Sequence, residues 1–431
     1  MKWTDDAHRG SQVDLDAGNG SVRARPLMPA RRRRTDRIIG LDVARAIAVF
    51  GMLGAHIGAV AGEVGADPSS WLGAGNGRSS ILFAVLAGVS LALLSGRTVP
   101  VGGDDLVRAR TRILVRAAWI FAIGGVLEAL GTDIDVILGV YAVLFVLALP
   151  FLRWSPRRLL VLAGVLAVFM PPVDLLLSQF ADSTDSYHAP FVLLTVTGAY
   201  PALIWWTFIL VGLAVGRCDL GSGRVRRRLL MGGVALAVLG YGGGWLTTQW
   251  WAGGEPVEGP ESFSERPPEW DVTWLVGAAP HSGTTFEIVG SVGVALVVIA
   301  GCLVVADRLR LVTFPLAAVG SMALTVYTAS IAVWAIGTEY QSNGSWIAYV
   351  VATLVLATTW RLLLGRGPLE RLLTWSSTRA ANYATSAPTA QPERPWGKAS
   401  ASSDRNERGL EQSGATGSEP SMQVPAAPTE K

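Results

Sequence analysis

The sequence predicts an all-α, polytopic integral membrane protein of about ten transmembrane helices, with the N-terminus and C-terminus both cytoplasmic. Three observations carry this reading. Half of the residues are apolar and only 16% are charged, against about a quarter charged in an ordinary soluble domain. The apolar residues fall in blocks of about 18 to 25, each enough to cross a ~30 Å hydrocarbon core at 1.5 Å per residue. The arginines also alternate from one connection to the next, as the positive-inside rule requires.

A polar arm, residues 1–37, precedes the first block and ends in Arg31, Arg32, Arg33, Arg34 and Arg37. Its composition predicts a mostly disordered cytoplasmic arm, and its place directly before a span makes it a topology signal rather than a nucleic-acid site. No cleaved signal peptide is expected. The predicted spans are Ile38–Val60, Ser79–Gly96, Ile113–Leu130, Val136–Leu152, Leu159–Leu177, Val196–Gly216, Leu229–Thr248, Phe286–Val305, Val312–Ile336 and Ser345–Leu364. Alternate connections, beginning with 31–37, hold 5, 4, 3, 5, 2 and 2 arginines, while the opposite set holds only Arg78 and Arg266. A missed or invented span would break that alternation. The arginine-poor side carries thirteen acidic residues, six of them from Glu255 to Asp271, and reads as outside. Residues 38–373 form the membrane domain, and residues 374–431, rich in Ser, Gly, Pro and Ala, read as a disordered cytoplasmic tail.

No connection is long and apolar enough to hide a soluble catalytic domain, so chemistry must sit among the helices or at their mouths. An ionisable group at membrane depth costs ~2.5–3.5 kcal/mol on insertion scales, which makes each one a candidate. Asp42, Arg45 and His56 interrupt the first span. Arg45 and His56 are eleven residues apart, about three turns plus ~20°, and Asp42 lies one turn before Arg45, so the three share a face with ~16 Å of rise from arginine to histidine. The plain alternatives are an arginine snorkelling to the headgroups while paired with Asp42, and a histidine hydrogen-bonded to a neighbouring helix. The chemical alternative is an imidazole that takes a proton from a nucleophile and returns it to a leaving group.

The run Asp42-Val43-Ala44-Arg45-Ala46-Ile47-Ala48-Val49, with His56 eleven positions after the arginine, resembles the first-helix signature of the transmembrane acyltransferase superfamily, which includes acyltransferase-3 proteins and heparan-α-glucosaminide N-acetyltransferase. Ser80-Ile81-Leu82-Phe83-Ala84-Val85-Leu86-Ala87-Gly88-Val89-Ser90-Leu91 resembles the second helix of that group. Gly320-Ser321-Met322-Ala323-Leu324-Thr325-Val326-Tyr327 and Gly367-Pro368-Leu369-Glu370-Arg371 resemble late motifs of its YeiB-like bacterial branch. The resemblance spans roughly residues 38–373. It implies a cytoplasmic acyl-CoA donor, acetyl-CoA in the first instance, with Arg45 matching the residue that holds the CoA phosphates and His56 the histidine needed for transfer.

Other polar groups join these two. Asp42, Arg112 and Arg116 are candidates to help hold the donor, Glu128 is the second catalytic candidate, and His281, Glu287 and Asp174 are candidates for acceptor binding near the depth of His56. For each, helix-end solvation or a topology role is the plain alternative. Two cysteines, Cys218 and Cys302, give no disulfide framework, and no metal-ligand spacing occurs. The expected activity is transfer of an acyl group from acyl-CoA to a hydroxyl or amine of an extracytoplasmic or membrane glycan or glycolipid. The expected setting is the plasma membrane, with the bilayer, acyl-CoA and that acceptor as partners, no nucleic acid and no metal; a homodimer is compatible with it. Two other readings stand beside it: a secondary transporter with an Asp42–Arg45–His56 relay, and a non-catalytic scaffold or regulator. Discontinuous helices in matching halves would favour the transporter.

Overall fold

A computed structural model describes residues 37–58, 68–251, 253, 272–337 and 342–386. The N-terminal arm through residue 36, the acidic stretch 254–271 with Arg266, the end of the first predicted span and the tail from residue 387 lie outside the described residues. Among the described residues every regular element is helical: α1 (Ile39–Ile57), α2 (Arg78–Leu94), α3 (Gly103–Glu128), α4 (Leu138–Ala148), α5 (Pro156–Ser183), α6 (Pro190–Val192), α7 (Ala202–Gly216), α8 (Gly223–Trp251), α9 (Thr285–Arg308), α10 (Arg310–Ser321), α11 (Ala323–Trp334), α12 (Asn343–Leu363) and α13 (Pro368–Ser386).

Among the described residues six helices are long and apolar enough to cross a membrane, or up to eight spans if each of two bent pairs counts as one. The expected ten thus divide unevenly. The predicted span at 196–216 is broken: a π turn, Leu193–Thr197, carries α6 on, and the chain bends by 57° into α7 through Gly198 and Pro201. The predicted span at 312–336 is also two helices, α10 and α11, meeting at 68°. Apolar periodicity runs through both breaks, so the sequence reads each as one span. α4 and its 3-10 continuation, Leu138–Arg153, form a shorter apolar helix, and α3 carries Arg112 and Arg116 inside its apolar stretch. A further correction falls at the C-terminal end, where residues 374–386 belong to α13 rather than to a disordered tail. Polar as it is, that stretch buries Leu373, Ser377 and Ala381 along one face against α3, which the composition alone hides.

Helix α1 is the hub, packing on α2, α9, α10, α11 and α12. Small residues let backbones touch, as bilayer packing favours where no hydrophobic drive distinguishes helix from lipid. A Cβ on Gly88 of α2 would overlap the backbone of α7, one on Gly212 of α7 the backbone of α2, and one on Gly320 the Asp42 carbonyl of α1.

Arg217, one of the arginines counted in the alternation, is 4% exposed at the end of α7. Its guanidinium donates to the carbonyls of Ala92 (3.4 Å), Ser95 (3.2 Å), Arg97 (2.6 Å) and Leu152, and to Ser95 Oγ (2.8 Å). The C-terminal ends of α2, of the α4 continuation and of α7 therefore converge on one cation, where orphan carbonyls and helix dipoles both favour positive charge. Burial lowers its pKa to about 10.

Candidate active site

The polar stripe of α1 has two ends. At the arginine end, Asp42 is 3% exposed and paired on both sides: Arg45 donates to Oδ1 at 2.6 Å, and Arg37 Nε to Oδ2. Arg45 also donates to Ser90 Oγ at 3.1 Å and keeps 20% of its side chain open. The expected pairing with Asp42 holds, and the open part of Arg45 faces a cavity of about 210 Å³. The walls are apolar, chiefly Phe83, Leu86, Leu91 and Leu94 of α2, Ile120 of α3, Tyr141 and Phe145 of α4 and Leu373 of α13. Arg45, Ser90, Arg116, Glu370 and Thr374 supply its polar groups. From Leu94 to Phe83 the α2 wall rises ~16 Å, with Arg45 at the level of Ser90, so the cavity extends ~10 Å beyond Arg45 and His56 is not among its lining residues. The arrangement is an apolar slot with cations at one end.

The cations gather from distant parts of the chain. Arg116 lies in Coulombic range of Arg112 and Arg366, and Arg361 in range of Arg37, Asp42 and Arg366. Glu370 closes the far side. Its carboxylate accepts from the backbone N–H groups of Leu324 (2.9 Å) and Thr325 (3.1 Å) and from Thr325 Oγ1 (2.6 Å). These are the first free donors of α11, so the glutamate from the late Gly-Pro-Leu-Glu run caps the helix opened by the other late motif. Gly320 and Gly367 give the room: a Cβ on the first would strike α1, and one on the second would strike Met322 and Glu370.

At the other end, His56 is half-buried in the last turn of α1. His281 approaches it closely enough for the two imidazoles to repel when charged, and burial together with that repulsion holds His281 down to about 4. His281 sits at φ 62°, the left-handed region that side chains rarely adopt. The turn is held by Glu287, which accepts from the N–H groups of His281 (2.6 Å) and Gly283 (2.6 Å) and from Ser282 Oγ (3.3 Å). Thr284 caps α9 in return, accepting from the Glu287 N–H at 3.1 Å. This Thr-x-x-Glu arrangement is a capping box with the glutamate reaching further back than usual. Asp174, His281 and Glu287 line one small cavity of about 40 Å³, and Asp174 lines a neighbouring one of about 80 Å³ with Tyr187, Thr197 and Trp274. Asp174 Oδ1 is buried with no hydrogen-bond partner among the described residues.

The structure therefore brings Arg45 and Arg116 onto one cavity, with Asp42 holding Arg45 while Arg112 stays off the lining, and Asp174, His281 and Glu287 onto another, with His56 beside His281. Glu128 lies apart from these. It is exposed at the end of α3, faces the Val136 backbone N–H and neighbours Asp135 and Tyr327, and among the described residues no hydrogen bond or ion pair joins it to His56. Among the described residues no group of three or more His, Cys, Asp or Glu side chains could hold a metal ion.

Residues 37–241 match the family model described as heparan-α-glucosaminide N-acetyltransferase, catalytic. This segment is thus similar to the catalytic part of the heparan-α-glucosaminide N-acetyltransferase family. Comparison with curated proteins gives no match. The similarity suggests acetyltransferase chemistry, and the apolar helices suggest a multi-pass membrane protein. The acetyltransferase-like segment contains the whole stripe from Asp42 to His56, α2 and the arginines of α3. Glu370, Arg366, His281 and Glu287, which close the two ends, come from beyond it.

Sequence reasoning missed several residues at these ends. Arg78, counted only as an exception to the charge alternation, starts α2, donates to Tyr241 Oη at 2.8 Å with its guanidinium over that ring, and lies in Coulombic range of Glu287. Tyr200 sets its ring edge-on to His281, with centroids 5.9 Å apart. Nothing in a single sequence marks either. Glu287 was findable as a cap from the Thr284-Thr285-Phe286-Glu287 run, and Glu370 from its place in a quoted motif.

Proposed function

We propose that the chain is an acyltransferase that moves an acyl group, acetyl in the first instance, from acyl-CoA entering at the arginine mouth to a hydroxyl or amine of a glycan or glycolipid on the far side of, or within, the plasma membrane. The observation that carries this is the slot itself: cations at its entrance suit phosphates, and apolar walls suit a flexible thioester-bearing arm. In this reading Arg45, oriented by Asp42, pairs with the donor phosphates through its planar fork of donors, and Arg112 and Arg116 add charge. His56, ~16 Å further along α1 than Arg45, lies beyond the lining of the slot, so the flexible arm must extend past the slot's end to reach it.

His56 acts as a neutral imidazole. It accepts the proton of the acceptor hydroxyl or amine as that oxygen or nitrogen attacks the thioester carbonyl. The C–S bond breaks as the C–O or C–N bond forms, and the imidazolium returns its proton to the departing thiolate. An acyl-imidazole formed on His56 and then attacked by the acceptor gives the same products. Asp174, His281 and Glu287 shape the acceptor side, with Glu287 acting through the turn that presents His281. Glu128 keeps a supporting role only if the acceptor reaches α3.

Purified protein incubated with radiolabelled acetyl-CoA and a cell-envelope extract should transfer label to an envelope component. The His56→Ala variant should lose transfer while binding acetyl-CoA as the wild type does in calorimetry, and Arg45→Ala should weaken binding more than Arg45→Lys. Full transfer by a well-folded His56→Ala protein ends the proposal. The transporter reading draws on the two bent spans, since broken helices line substrate sites in transporters. One break, at Met322, is occupied by Glu370 rather than left open to an ion. Substrate flux into proteoliposomes without label transfer would decide for transport.

A further inference from the structure

The cations at the slot entrance are unequally compensated. Arg45 shares Asp42 with Arg37 and holds Ser90 as well. Arg112, Arg116 and Arg366 have no carboxylate within ion-pair distance among the described residues, where the ion pairs are Arg37 and Arg45 with Asp42, Arg108 with Asp105 and Arg226 with Asp307. Arg116 meets only Ser377 Oγ, at a long 3.4 Å, and lines the cavity. Arg112 Nε is buried with no hydrogen-bond partner among the described residues. Arg112 and Arg116 are four residues apart on α3, so their side chains share one face, and Arg366 comes to them from the turn between α12 and α13. Of the three, Arg116 lines the cavity, where the Glu370 carboxylate is already engaged by Leu324 and Thr325; holding three like charges close together costs free energy, and a buried donor left unpaired costs ~1–3 kcal/mol more. An anion bearing several acceptor oxygens would satisfy both.

We propose that Arg112, Arg116 and Arg366 form a phosphate subsite at the entrance of the slot, distinct from the Arg45–Asp42 pair and completed by a residue outside the acetyltransferase-like segment. Its ligand is a phosphate ester or diphosphate. That the phosphate belongs to the acyl-CoA donor rests on the function proposed above; an anionic lipid headgroup has the same chemistry and is the other source. Arg45 then orients the ligand, while the triad neutralises it.

The test uses the full-length protein in phosphatidylcholine nanodiscs, titrated with acetyl-CoA and, separately, with inorganic pyrophosphate at two salt concentrations, beside Arg366→Gln, Arg366→Lys and the Arg112→Gln/Arg366→Gln double variant. Arg366 is exposed, so its substitution spares the fold, and it carries the test alone if the double variant aggregates. The expected result is salt-sensitive binding of acetyl-CoA, weakened about tenfold by Arg366→Gln, the effect of one charge-assisted contact of ~1.4 kcal/mol, less by Arg366→Lys and more by the double variant. Unchanged affinity in the Gln variants of a protein that binds acetyl-CoA overturns the subsite and leaves the donor reading standing. If the wild type ignores acetyl-CoA but gains thermal stability on adding phosphatidylglycerol, and Arg366→Gln abolishes that gain, the subsite stands with lipid as its source and the donor reading fails. No response of the wild type to any of these anions overturns both.

Discussion

Replacing Arg217 by methionine tests whether one buried cation ties three helix ends together. The guanidinium serves four carbonyls and one hydroxyl. Two of the carbonyls keep other donors: Ala92 receives the N–H groups of Ser95 and Arg97, and Ser95 that of Val101. The carbonyls of Arg97 and Leu152 lose theirs, at ~1–3 kcal/mol each. Methionine fills most of the volume and removes the burial cost that lowers the arginine pKa to about 10, which returns at most ~3 kcal/mol at 1.36 kcal/mol per unit and less where solvent screens the guanidinium. The favourable field of three helix C-termini, ~0.3–1 kcal/mol for each, is lost at the same time. The balance is a destabilisation of about 2 kcal/mol, or a fall in Tm of roughly 5 °C for a body of this size. Arg217→Ala, which adds a cavity, should cost about 2 kcal/mol more, and Arg217→Lys, keeping charge without the fork, should fall between wild type and methionine. Thermal unfolding in detergent, followed by tryptophan fluorescence, reads all three. A methionine variant as stable as the wild type would show that the helix ends are held by packing alone and would refute the argument.

Three further outcomes are expected. Glu370→Ala uncaps α11 and should cost about 1–2 kcal/mol, with faster proteolysis at Met322, while Glu370→Gln should retain part of the cap; equal proteolysis rates in all three proteins would remove the capping role. His281 is neutral in the fold down to about pH 4, whereas an unfolded histidine protonates near 6.5. The unfolded state therefore binds more protons in that window, and stability should fall as pH drops from 6.5 toward 4, by at most ~3 kcal/mol, less for a ring partly open to solvent. His56, Glu287, Asp174 and Tyr200 face the same turn, so the control is His281→Asn, which should flatten the His281 part of the decline in thermal unfolding across pH; an unchanged profile in that variant contradicts the assignment. The arginine alternation places Asp105 inside and Glu258 outside, and a cysteine at Glu258 that resists a membrane-impermeant reagent in intact cells while one at Asp105 reacts would reverse the orientation.

What the sequence determined by itself was set by short-range rules. Twenty or so apolar residues must be helical in a bilayer, because backbone polar groups there have only one another to bond. A period of 3.6 residues puts Asp42, Arg45 and His56 on one face whatever packs around them, and the Asp42–Arg45 pair follows from spacing alone. Only the tertiary structure decided which charges are solvated and which are built in. Arg217 and Arg153 read alike in a loop, yet the first is enclosed by three helix ends and the second is exposed. Glu370, Arg366 and His281 reach the two ends of the stripe from far along the chain, and no local pattern records such a meeting. The breaks at Gly198 and Met322 were hidden for the same reason: the apolar residues continue across them, and the groups that satisfy the freed backbone, Glu370 above all, lie outside the segment that bends.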